Sequence, residues 1–105
     1  MEQPNLKYIQ SLSQGDKAFE IRIIKIIKLE FQTDKKVYFS NISNKNYERA
    51  AANVHKLKNK ISILGLNKGY KLAEKFENNL RNNNLSLKED FQNIIQNMSN
   101  YLNEI

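Results

Sequence analysis

The stretch 47-YERAAANVHKLKNKISILG-65 decides how the chain folds. Within it Tyr47, Ala50, Val54, Leu57, Ile61 and Leu64 recur at spacings of three, four, three, four and three, which marks a helix with one sustained apolar stripe. Gly65 follows the last apolar position and suits a left-handed C-cap. On a wheel at roughly 100° per residue the stripe fills an arc of roughly 100°, and His55 lies roughly 130° from its centre. The single histidine of the chain is therefore expected outside the core. Lys58 and Asn59 fall one turn away on the same side and Ser62 a turn further, while Ile63 lies between the polar patch and the stripe. Ala51 and Ala52 leave the approach to the imidazole sterically open.

The flanking segments repeat the helical pattern. Leu6, Ile9 and Leu12 or Ser13 predict a short first helix after Pro4 that ends near Gly15, with Asp16 as N-cap of the next. From Ala18 to about Ile42 the chain lacks Gly and Pro, which favours one long helix, with a kink or early end marked at Thr33 and Asp34. Ser43 or Asn44 is the expected cap of the helix that carries His55. Asn67 is the expected cap of a fourth helix whose stripe is Gly69, Ala73, Phe76 and Leu80. The run 82-NNN-84 reads as a connection, and 86-SLKE-89 as a capping box opening a last helix through Leu87, Phe91, Ile94, Met98, Tyr101 or Leu102, and Ile105. The fold class that follows is all-α: an antiparallel up-and-down four-helix bundle with a short additional N-terminal helix, formed by residues 1–105 as a single domain.

Composition narrows the chemistry. With no Cys and one His, disulfides, thiolate metal sites and multi-histidine sites are excluded. The start MEQPNLKYIQ lacks the pattern of a signal peptide, and 19-FEIRIIKIIKLEF-31 is broken by charges, so a soluble cytoplasmic protein or domain is expected. A net charge of +6 suggests an acidic partner, although a chain rich in Lys, Asn and Ile and poor in Arg also fits an AT-rich coding bias.

An exposed imidazole, with an ordinary pKa of about 6.5, is largely neutral near pH 7 and nucleophilic. It can attack an activated phosphoryl group, and an adjacent ammonium such as Lys58 can stabilise the phosphoryl oxygens. No orienting carboxylate is apparent near His55, since Asp16 and Asp90 are remote, and no Ser or Cys nucleophile is placed beside it, which argues against a hydrolytic triad. By geometry alone, a solvated histidine followed by lysines needs no functional account.

The residues from Val54 to Gly65, V-H-K-L-K-N-K-I-S-I-L-G, resemble the motif A-H-x-L-K-G-x-x-x-x-L-G of histidine-containing phosphotransfer (HPt) domains of two-component phosphorelays. His55, Leu57, Lys58, Leu64 and Gly65 occupy the motif positions. The segments 12-LSQGDKAF-19 and 72-LAEKFENNL-80 are similar to the family's first turn and to its helix after the motif. The resemblance implies that His55 accepts a phosphoryl group from a receiver-domain phospho-aspartate and returns it to another receiver, with Lys58 holding the phosphoryl oxygens. Lys56, Asn59, Ser62 and Ile63 would then lie on the docking surface, with Lys60 and the exposed side of the second helix at its rim. It also implies a phosphotransfer intermediate without autonomous catalysis and without a cofactor of its own, Mg²⁺ being supplied by the receiver. Such a domain would be either free-standing or part of a hybrid histidine kinase as parent chain. Asn59 stands where the family usually has Gly, which bears on partner choice or transfer rate. The competing readings are a basic helical nucleic-acid-binding protein, weakened by the scarcity of Arg, and a receiver-docking module that does not transfer phosphate.

Overall fold

In the computed structural model, which describes residues 2–105, the chain forms five α-helices: α1 (Lys7–Ser13), α2 (Lys17–Ser43), α3 (Tyr47–Ile63), α4 (Asn67–Arg81) and α5 (Lys88–Glu104), with no strand among the described residues. Asp16 caps α2 as its position suggests, its carboxylate accepting the Phe19 N–H at 3.1 Å. The 27 residues of α2 run as one helix of about 40 Å, so the chain does not end its helix at Thr33 and Asp34. Thr33 is accommodated inside the helix because its hydroxyl donates to the Leu29 carbonyl at 3.2 Å.

Three helix starts differ from their sequence signals. α2 continues through Ser43 with Asn44 as its C-cap, so α3 begins from Asn46 after a left-handed Lys45 at φ 58°. Asn67 is the first residue of α4 rather than its cap. The cap is supplied from the other end of the sequence: the Glu2 carboxylate accepts the Lys68 N–H at 2.8 Å and the Gly69 N–H at 2.9 Å. The capping box at Ser86–Glu89 does not form. Ser86 is tied back to α4, its N–H donating to Asn84 Oδ1 at 2.8 Å and its carbonyl accepting from Asn79 Nδ2 at 3.0 Å, which leaves Leu87 at φ 76° as the N-cap of α5.

One hydrophobic core joins all five helices. Ile9 comes from α1, Ile27, Phe31 and Tyr38 from α2, Ala50, Val54, Leu57 and Ile61 from α3, Ala73, Phe76 and Leu80 from α4, and Phe91, Ile95, Met98 and Leu102 from α5. The expected stripe of α3 is buried except for half-exposed Tyr47. On α5 the buried position is Ile95, with Ile94 only half-buried. Tyr38, Phe76 and Phe91 form an aromatic cluster with centroid separations of 5.1 to 6.4 Å. Burial raises the Tyr38 pKa, and its hydroxyl donates to Gln92 at 3.2 Å.

The connection from α3 to α4 holds the site's C-terminal end in place. Gly65 has φ 81°, a backbone conformation that favours glycine, and a Cβ there would come within 2.6 Å of Asn5 Nδ2, so the Asn5 side chain would have to shift to admit one. The Asn5 N–H donates to the Leu64 carbonyl at 2.9 Å, fastening the N-terminal segment to this turn.

Candidate functional site

The stripe of α3 turns Val54 and Leu57 into the core and leaves His55 on the flank toward α4, with its side chain 60% exposed. There the imidazole meets Glu77, whose Oε1 lies 3.3 Å from His55 Nδ1. An ionised carboxylate only accepts hydrogen bonds, so this contact calls for a proton on Nδ1, and in the neutral ring the lone pair is then on Nε2. The orienting carboxylate that appeared to be missing is thus supplied by the next helix.

Lys58 also differs from its expected setting. Rather than standing in a solvated patch beside His55, its side chain is 10% exposed and donates to the same Glu77 Oε1 at 3.1 Å. Two donors therefore share one carboxylate oxygen. The other oxygen, Oε2, accepts Arg81 Nη2 at 3.1 Å, and Arg81 Nη1 reaches Glu48 on α3 at 2.8 Å, so the guanidinium bridges α3 and α4. Glu77 is only 11% exposed in its side chain. Burial pushes its carboxyl pKa up, but hydrogen bonds from Lys58 and Arg81, the Lys58 charge and the His55 contact together outweigh this and hold it below the ordinary value. In return the hydrogen bond to Glu77, opposed by burial and aided by the charges of Glu48 and Glu77, holds Arg81 further in its charged form.

Sequence patterning did carry a sign of Glu77. It stands four residues after buried Ala73 and three before buried Leu80, in register with the α4 stripe, and an acid at such a position needs a cationic partner from a facing helix. What the α4 pattern could not give was which residues of α3 would supply it.

The remaining candidate residues surround the imidazole unevenly. Lys56, Asn59 and Ser62 are exposed and Ile63 is half-buried. Asn59 stands on a ridge between two shallow depressions, one toward α2 beside Leu29, Thr33 and Lys56, the other toward α1 and α4 beside Tyr8, Ser62 and Tyr70. Lys60 turns to α2, where its ammonium contacts Glu30 at 2.7 Å and Asp34 at 3.9 Å. Among the described residues no helix is long and apolar enough to cross a membrane.

No protein-family model, curated protein or solved structure matches the chain in comparisons with each. The functional reading of His55 therefore rests on its geometry and on the motif around it.

Proposed function

We propose that the protein is a phosphorelay intermediate of the HPt type, in which His55 takes a phosphoryl group from a receiver-domain phospho-aspartate and passes it to another receiver. The observation that carries this reading is an imidazole whose side chain is 60% exposed and whose Nδ1 is anchored 3.3 Å from a buried carboxylate. A solvated histidine with no role needs no such anchor.

The transfer proceeds as an attack by the Nε2 lone pair on phosphorus. The Nε2–P bond forms, the P–O bond to the aspartate breaks, and the aspartate leaves as a carboxylate. The proton on Nδ1 stays where it is, and Glu77 offsets the positive charge that the ring acquires. Lys58, at i+3 from His55, is near enough to meet the phosphoryl oxygens, while Arg81 keeps Glu77 partnered. The receiver contributes its own acidic pocket and Mg²⁺, and the chain acts without a cofactor.

The finer architecture belongs to the same proposal: an antiparallel up-and-down four-helix bundle of α2 to α5, with α1 as the additional short helix. Support comes from the sense of the cross-helix pairs. Asn41–Asn53 and Glu30–Lys60 run oppositely along α2 and α3, and Tyr38–Gln92 and Lys35–Ser99 do so along α2 and α5. Lys58–Glu77 and Glu48–Arg81 do the same for α3 and α4.

The test is phosphorylation by a phosphorylated receiver and, independently of any cognate partner, by phosphoramidate. The expected product is one acid-labile, base-stable phosphate, absent from His55→Gln. A wild-type protein that takes no label from either donor, or a variant labelled as well as wild type, overturns the proposal. Receiver binding without transfer would assign the protein to a docking role instead.

A further inference from the structure

Glu77 does not hold Lys58 alone. The Lys58 ammonium lies 5.4 Å from the centroid of the Tyr70 ring, which sits in the first turn of α4. Tyr70 and Glu77 are seven residues apart, or two helical turns, so both face α3 along the same edge of α4. We propose that Tyr70 is a positioning residue for phosphotransfer, its ring face holding the Lys58 ammonium beside His55. This rests on the phosphotransfer reading and adds to it how the cation is kept in place.

The need for such a holder follows from how the carboxylate is shared. Glu77 Oε1 is contacted by both His55 and Lys58, and Oε2 by Arg81. A phosphoryl group arriving on His55 competes for Lys58 with new negative oxygens, while Arg81 leaves Glu77 still neutralised. A lysine that lets go of its carboxylate has a flexible four-carbon stem and readily extends into water. An aromatic face attracts the ammonium without carrying a charge or accepting a proton, so it can retain Lys58 both before and after the exchange. It is the ring of Tyr70 that faces the Lys58 ammonium, so the effect is assigned to the ring and not to the hydroxyl.

Three single variants, Tyr70→Leu, Tyr70→Phe and Lys58→Gln, together with the double variant Lys58→Gln/Tyr70→Leu, test this, with helical content checked by circular dichroism. With phosphoramidate as donor, Tyr70→Leu is expected to slow labelling of His55 by about two- to fivefold. Tyr70→Phe should match wild type, and Tyr70→Leu should add nothing in the Lys58→Gln background. A second readout does not depend on phosphate: acetylation of Lys58 by acetic anhydride, followed by peptide mass spectrometry, should be faster in Tyr70→Leu and unchanged in Tyr70→Phe. A Tyr70→Phe variant as slow as Tyr70→Leu, or equal slowing by Tyr70→Leu with and without Lys58, overturns the positioning role. If wild type takes no phosphoryl group, the phosphotransfer reading falls and this role with it. If wild type is labelled and Tyr70→Leu is labelled equally fast, only the role of Tyr70 falls.

Discussion

Lys58 and Lys60 stand two residues apart on α3, roughly 200° around its axis, and each ends in an ion pair with a neighbouring helix. Lys60 has the shorter contact, 2.7 Å to Glu30 against 3.1 Å from Lys58 to Glu77. Its near acceptor, Glu30, is however 55% exposed, and covered Asp34 lies at 3.9 Å, whereas Glu77 is 11% exposed and shared with His55 and Arg81. Distance therefore ranks the two pairs in the wrong order. A half-solvated carboxylate exchanges its partner for water at little cost, while a buried one that loses a donor, or a buried donor that loses it, has no substitute nearby. The α4 side of α3 is thus a coupled unit and the α2 side a separable one.

The largest expected difference comes from removing the shared acceptor. Glu77→Ala leaves the buried Lys58 ammonium unpaired and Arg81 with Glu48 alone. Urea unfolding should show a loss of about 2 to 3 kcal/mol, at the low end for a broken buried pair because the lysine stem can carry its charge to water. The same variant frees the His55 ring from its fixed tautomer, so labelling by phosphoramidate should slow as well. A Glu77→Ala protein as stable as Lys60→Ala would break the comparison outright.

Lys58→Met should be less costly, about 1 to 2 kcal/mol. Glu77 keeps Arg81 and His55, and the methionine retains most of the apolar stem. Lys58→Met and Glu77→Ala should be strongly non-additive, because either one removes the same contact. Additive effects in the double variant would mean that the two residues act separately.

The depressed pKa of Glu77 makes this unit sensitive to acid with a defined sign. Its folded-state pKa lies below the ordinary 4.5, so the folded protein binds the proton more weakly than the unfolded chain. The stability contributed by the ionised carboxylate is complete above the unfolded value and is lost as pH falls through the folded one. The difference in unfolding free energy between wild type and Glu77→Gln should be flat above about pH 5 and shrink below it. A difference that grows toward acid pH would reverse the assignment.

How much of this the sequence carried depends on whether the controlling contact is local. The α3 stripe, the Asp16 cap and the Gly65 turn are set by residues within a turn of one another, and periodicity or a single side chain reveals them. The cap of α4 is supplied by Glu2, which no local rule can find, since Lys68 and Gly69 lie a whole chain segment away. Ser86 is a sound capping signal that loses to competing bonds within the same connection, its N–H donating to Asn84 two residues before it and its carbonyl accepting from Asn79 seven residues before it. The site divides in the same way. A wheel turns His55 outward, but the burial of Lys58 and its tie to Glu77 depend on how closely α4 lies against α3, which the α3 pattern does not encode.

The smallest expected effect falls on Lys60, and its components can be separated. The Lys60 side chain is 14% exposed, more covered than a surface lysine needs to be, because its stem borders an apolar depression with Ile23, Ile27 and Ile63. Lys60→Ala removes both stem and charge and should cost less than about 1 kcal/mol, whereas Lys60→Met keeps the stem and should cost a small part of that. If the ion pair with Glu30 carries the energy instead, the two variants will be equally destabilised and the loss will shrink as salt is raised. A difference between Ala and Met that persists at high salt would place the contribution in the stem. Lys60 would then be a packing residue whose ion pair with half-exposed Glu30 adds little to stability, in contrast to Lys58, whose ammonium is paired with a buried carboxylate.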